Sequence, residues 1–152
     1  MRRKKEISSG GIVYKLVDSS PHILVLKDSK GKWTFPKGLI EENEDPVVCA
    51  KREIKEEVGV TEIEFVKELG TVHYKYIFEN DLIDKTVFYS LFRLIGSPVL
   101  KPQKEEGIQQ VMFIDLKGAR NIIGYEKTNA PILSKIEDFF QKKDNKAKTE
   151  KK

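Results

Sequence analysis

Residues 38–60 read GLIEENEDPVVCAKREIKEEVGV. Within five residues this stretch places Glu53, Glu56 and Glu57. Asp45 has the chemistry of an N-cap, and Pro46 suits a first helical position. Val47, Ala50, Ile54 and Val58 follow at helical spacing, and Gly59 supplies a stop. The stretch therefore predicts a helix over 46–58. With about 100° per residue and Glu53 at zero, Glu57 falls near +40° and Glu56 near −60°. Ala50, Ile54, Val47 and Val58 occupy the arc from about +60° to +140°. Three carboxylates thus share one arc beside a buried stripe. Like charges at these spacings cost roughly 0.2–0.5 kcal/mol per pair. The C-terminal half of a helix disfavours anions by about 0.3–1 kcal/mol each. A divalent cation removes that conflict, because magnesium takes carboxylate oxygens together with water and phosphate oxygens. The plainer alternative is a solvated acidic face with Lys51, Arg52 and Lys55 as partners.

Outward from this helix the chain alternates strand and helix signals. EISSGGIVYKLV (6–17) and HILVLKD (22–28) read as strands of a hairpin, and Trp33–Phe35 as a brief strand ending at Pro36. Residues 39–45 read as an acidic loop. Past Gly59, TEIEFVKELGTVHYKYIFE and DKTVFYSLFRLIG read as long strands joined by a turn at Asn80-Asp81. Residues 96–107 read as a loop, Ile108–Ile114 as a last strand, and Lys117–Ile122 as a short helix. Ala130–Gln141 reads as a second clear helix, with Ile132, Leu133, Ile136, Phe139 and Phe140 on its apolar face. This order predicts an α/β fold with a mixed sheet and helices on its faces.

The 152 residues suit one domain, and 39% apolar content is enough for one core. No apolar run is long enough for a transmembrane helix, and the basic N-terminus lacks the apolar stretch of a secretory signal. Cys49 is the only cysteine, so no internal disulfide forms, and a reducing, cytoplasmic setting is expected. At its helical position Cys49 reads as a small packing residue. The net charge of +4 comes from the ends. Residues 142–152 carry six lysines against Asp144 and Glu150, and Arg2, Arg3, Lys4 and Lys5 open the chain, so the body between is acidic. The expected organisation is a domain over 1–141 followed by a basic, disordered tail over 142–152. Nucleic-acid contact through these basic termini is the minor reading.

The residues around the acidic arc carry a fuller pattern: G-x5-E-x7-R-E-U-x-E-E-x-G-U, where U is a large aliphatic residue. It is met at Gly38, Glu44, Arg52, Glu53, Ile54, Glu56, Glu57, Gly59 and Val60. This resembles the signature of the Nudix hydrolases. The resemblance implies an α/β/α sandwich over about residues 5–141. It also implies Mg2+ as cofactor, with Mn2+ as the alternative, held by Glu53, Glu56, Glu57 and the Gly38 carbonyl. Glu53 or Glu57 would help to deprotonate water, and Arg52 would pair with Glu44. A further acid from a later loop would be Glu105 or Glu106, of which Glu106 is taken forward.

Other stretches resemble the asymmetric diadenosine tetraphosphate hydrolases of bacteria and archaea: WTFPKG at 33–38, HYKY at 73–76 and KTVFY at 85–89. That resemblance implies Tyr76 and Tyr125 for base stacking and Lys37 and Lys85 for phosphate. His73 opens the HYKY stretch and is a further candidate, although strand alternation puts it on the face opposite Tyr74 and Tyr76. The implied activity is hydrolysis of diadenosine tetraphosphate to ATP and AMP. Its rivals are hydrolysis of (oxidised) nucleoside triphosphates or RNA 5′-triphosphate ends, and a non-catalytic nucleotide-binding regulatory module. The intact REIKEE stretch argues against the last. The expected partner is a small nucleotide, and monomer and homodimer stay open.

Overall fold

A computed structural model describes the backbone of residues 1–150 and side chains as far as Lys146. Its strands are β1 (Arg2–Val17), β2 (Ser20–Lys27), β3 (Trp33–Thr34), β4 (Lys37–Leu39), β5 (Ile63–Phe78), β6 (Asp81–Leu94) and β7 (Gln110–Asp115). Its helices are α1 (Pro46–Val58), α2 (Leu116–Ile122) and α3 (Glu126–Glu150). All seven strands join one mixed sheet with the path β3-β2-β1-β6-β5, while β4 pairs with β1 and β7 with β2. β1 and β6 run parallel and the other pairings are antiparallel.

Neighbouring residues of the central strands face opposite layers. Ile12 and Val25 join the core with Leu133 and Ile136 of α3, whereas Val13 and Leu24 pack with Ala50, Ile54 and Val58 of α1. This is the expected α/β/α sandwich. It explains why the central strands are apolar on consecutive residues instead of alternating. Burying a side chain such as Ile54 contributes about 1.5–3 kcal/mol.

β1 and β2 pair only over Tyr14–Val17 and Ser20–Ile23, then diverge. The segment 33–39 crosses the gap. β3 pairs with β2, β4 pairs with β1, and Gly11 N–H donates to the Pro36 carbonyl. The split brings Lys37 and Gly38 into the middle of the sheet, beside α1.

Several boundaries differ from the sequence reading. β1 starts at Arg2 because the basic run pairs in parallel with β6, and Arg2 and Lys4 meet Asp81 at 3.3 and 3.1 Å. The β5–β6 turn is Glu79-Asn80, with both residues at positive φ, so Asp81 is already in the strand. Gly-poor sequence hides such a turn. α3 starts four residues before Ala130, where Tyr125 C=O accepts from Thr128 and Asn129, and Pro131 falls inside the helix. Its backbone continues through 142–150, where an unstructured tail is expected. Lys, Ala and Glu are good helix formers, and no Gly or Pro intervenes. Lys151 and Lys152 lie outside the described residues.

Candidate active site

α1 forms as its sequence dictates. Asp45 accepts from Val48 N–H at 2.9 Å, and Gly59 closes the helix at φ 77° with its N–H on Lys55 C=O. The apolar stripe faces the sheet, so the acidic arc falls over β4. A side chain at Gly38 would overlap the Glu53 carboxylate, so glycine is required for Glu53 to lie against the strand. Glu53 is 9% exposed. Glu57 accepts the Lys37 backbone N–H at 2.9 Å.

Arg52 holds the arc together. Its Nε and Nη2 grip Glu44 at 2.7 and 3.0 Å, Nη1 reaches Glu53 at 2.8 Å and Glu56 at 3.3 Å, and Nη2 also donates to Leu39 C=O. The two-toothed grip ties the loop before α1 to the helix. Cys49 is buried and donates to the Gly38 and Leu39 carbonyls at 3.6 Å, a packing role.

These contacts set the charges. The hydrogen bond from Arg52 holds Glu44 down at about 2. Burial raises Glu53 against the pull of Arg52, and Glu56 and Glu106 add to the rise. Burial pushes Glu57 up to about 9, with Glu53 and Glu106 adding and the Lys37 N–H opposing. Carboxylates raised by burial and by one another mark a candidate functional site.

Glu106 lies in a turn of the segment after β6 that is tied to the end of α1. Lys101 and Gln103 N–H groups bind the Val58 and Glu57 carbonyls at the end of α1, just before the turn Lys104–Glu106. Of the two acids in that turn, it is Glu106 whose charge acts on Glu53 and Glu57. Among the described residues no three acidic, histidine or cysteine side chains stand close enough to form a finished metal site. Arg52 is the cation paired with Glu53 and Glu56. The donor set, with glutamates and the Gly38 carbonyl, still fits a hard divalent cation.

On the other face of β4 lies a cavity of about 570 Å3. Lys37, Tyr74, Tyr76 and Tyr125 line it, together with Asp28 and Asn129. Lys37 Nζ donates to Tyr74 Oη at 2.8 Å, and burial lowers its pKa. Tyr125 Oη donates to Asp28 at 2.5 Å, and Asn129 Nδ2 donates to Thr34 and to Gly124 C=O. Burial and then Asp28 push Tyr125 up to about 12. Tyr76 Oη donates to Glu6 at 2.7 Å, and Lys85 meets the same carboxylate at 3.4 Å.

Three expected substrate residues, Lys37, Tyr76 and Tyr125, therefore line one cavity. Lys85 sits behind Tyr76, occupied by Glu6, and does not line it. His73 lies on the opposite face of β5 beside Thr86, at 3.0 Å, and is not part of the cavity. Alternation with Tyr76 is a signal for Tyr74 in the sequence. Asp28, Thr34 and Asn129 carry no such signal, because they meet only across long separations.

Residues 10–136 match the NUDIX domain. The chain belongs to the NUDIX domain family. The Nudix chain is 27% identical over 150 residues to a putative mutator protein MutT4 of Mycobacterium tuberculosis, a match over 93% of this chain and 59% of that protein. Thus the chain spans about three fifths of that relative's length. It is 28% identical over 131 residues to an RNA pyrophosphohydrolase of a Nitratiruptor species, covering 79% of this chain and 81% of that one. A C. elegans Ap4A hydrolase structure superposes with TM-score 0.75 and 24% identity, over 90% of this chain and 98% of that one. That likeness is one of fold.

Proposed function

We propose that this Nudix chain is a magnesium-dependent hydrolase of pyrophosphate bonds in nucleoside polyphosphates, with dinucleoside polyphosphates such as diadenosine tetraphosphate as substrates. The observation carrying this reading is a partly buried carboxylate arc on one side of Lys37-Gly38 and a tyrosine-lined cavity on the other. Glu53, Glu56, Glu57, Glu106 and the Gly38 carbonyl would hold the cation. Such an ion neutralises phosphate oxygens and acidifies a bound water. Lys37 and the tyrosines orient a nucleotide, with its base stacked and its phosphates toward the arc. Water oxygen bonds to phosphorus, one P–O anhydride bond breaks, and the water proton passes to Glu57 or Glu53 and then to solvent. Arg52 and Glu44 keep the loop and helix in register. A reducing cytoplasm suits an enzyme whose one cysteine is a buried thiol. Among the described residues no helix is long and apolar enough to cross a membrane.

The test is product analysis with Mg2+ over dinucleoside polyphosphates, nucleoside triphosphates and 5′-triphosphorylated RNA. Diadenosine tetraphosphate should give ATP and AMP. If it were the poorest substrate, the specificity would be wrong. No turnover of any nucleotide despite metal binding would leave a binding module. Hydrolysis of RNA 5′ ends is the second reading, favoured by the Nitratiruptor relative.

A further inference from the structure

A second cavity, of about 590 Å3, lies between β5 and α3. Lys67 of β5 and Lys135, Lys142, Lys143 and Lys146 of α3 line it around Phe139. Glu68 and Asp138 are the two acids in its wall, so cations prevail by three. Among the described residues none of the five lysines is in an ion pair. Lys67 and Lys143 ammonium groups stand 5.8 and 5.9 Å from the Phe139 ring centre.

The backbone is shaped around this cavity. β5 shifts register twice, between Phe65 and Lys67 and between Glu68 and Gly70. Gly70 has φ +134°, and a side chain there would overlap the Lys135 ammonium. The Lys135 ammonium thus stands over Gly70, next to the irregular stretch of β5.

The two cavities lie along the same two elements, β5 and α3, whose line of contact is the β5–α3 seam. β5 supplies Tyr74–Tyr76 to the first and Lys67–Leu69 to the second, and α3 supplies its first turn to the first and residues 135–146 to the second. On β5 the cavities are centred at Glu68 and Lys75, seven residues or roughly 23 Å apart. β5 is an edge strand, so the seam opens to solvent along one side. A dinucleotide seated at the tyrosines is too short to need the far end. A chain of several nucleotides reaches it.

We propose that the β5–α3 seam binds the phosphodiester chain of a single-stranded nucleic acid whose 5′-phosphates sit at the carboxylate arc. The placement of the 5′ end rests on the polyphosphate-hydrolase reading, and not on the preference for dinucleotides. Lysines set around an aromatic ring match a strand with unpaired bases, since cations track phosphates while a ring stacks a base. Inorganic polyphosphate uses only the cations.

The experiment is fluorescence anisotropy with 3′-labelled, 5′-triphosphorylated RNA of about 12 nucleotides, and DNA of the same sequence, over a range of salt. The full chain carries Glu57→Gln so that RNA is not consumed. Adding Lys135→Ala, Lys142→Ala and Lys146→Ala should weaken binding about tenfold or more and reduce the slope of log affinity against log salt by about two. The three arginine substitutions should retain both. Phe139→Leu should weaken binding of the nucleic acid and leave binding of inorganic polyphosphate unchanged. The tighter of RNA and DNA names the sugar. In the otherwise wild-type chain, diadenosine tetraphosphate turnover should stay within about twofold on the three alanine substitutions. Unchanged affinity and slope in the triple alanine variant would overturn the proposal. So would polyphosphate binding as tightly as RNA with no effect of Phe139→Leu on either. Absence of turnover on every nucleotide would count against the hydrolase reading separately, because the seam is read by binding alone.

Discussion

Glu57 shows how one residue's surroundings set its chemistry. Its ordinary value is 4.5, and burial beside Glu53 pushes it up to about 9. Between these values the metal-free folded protein holds a proton that the unfolded chain has lost. Stability is therefore full below 4.5 and falls as pH rises toward 9. Glu44 acts in the opposite direction. Held at about 2, its contribution is present above 4.5 and is lost as pH falls toward 2, outside that window. In EDTA the urea midpoint should drop between about pH 5 and pH 9, and Glu57→Gln should remove much of the drop. A slope unaltered by the substitution would show that Glu57 is solvated. On the proposed role of Glu57 as a metal ligand, Mg2+ displaces the same proton, so its affinity should rise with pH across this window, as titration calorimetry would record. With metal present, Glu57→Gln should lower kcat by about a hundredfold or more while circular dichroism stays unchanged. Loss of fold and activity together would instead mark Glu57 as a structural residue.

The best-specified element is α1. Cap, apolar spacing and stop all agree, and the helix begins and ends where they say. Asp45→Ala should cost about 1 kcal/mol through loss of the cap. Gly59→Ala should cost about 1–2 kcal/mol, because φ 77° disfavours a side chain. Both are read as a lower urea midpoint, and near-wild-type kcat at a temperature where each variant is folded would separate capping from catalysis. The strands are less legible at their ends. Arg2–Lys5 look like a charged terminus and become sheet because Asp81 waits on the parallel neighbour. The turn before β6 sits one residue early because Glu79 adopts a positive φ that its side chain does not advertise. The start of α3 was hidden by Pro131, which reads as a boundary and stands inside the helix.

At the scale of the molecule, the split between β1 and β2 is the decisive feature. It lets Lys37 donate its backbone N–H to Glu57 on one face while its side chain reaches Tyr74 on the other. Carboxylates and cavity become one site through two adjacent residues. Tyr125 closes the cavity from the α2–α3 junction, fixed by Asp28. Base stacking is worth about 1–3 kcal/mol, so Tyr125→Ala should raise KM roughly tenfold. In steady-state assays kcat should change by less than about threefold if the ring only binds. An equal fall in kcat with no change in KM would move Tyr125 out of the base pocket. Leu39, Ile77 and Phe78 stay exposed on the sheet.

The sequence by itself determined the helix with its carboxylate arc, the Glu44–Arg52 clasp and the layered fold. The helix and its arc follow from local periodicity, whereas the Glu44–Arg52 clasp and the α/β/α sandwich follow from the resemblance of the motif to the Nudix signature. Only the tertiary structure decided which distant residues share the tyrosine-lined cavity. It joined Asp28 to Tyr125, seated Lys85 on Glu6, and turned His73 away. The reason is physical. A carboxylate arc follows from the pitch of one helix, whereas a cavity wall depends on sheet order and register. Those are set by the whole core at once.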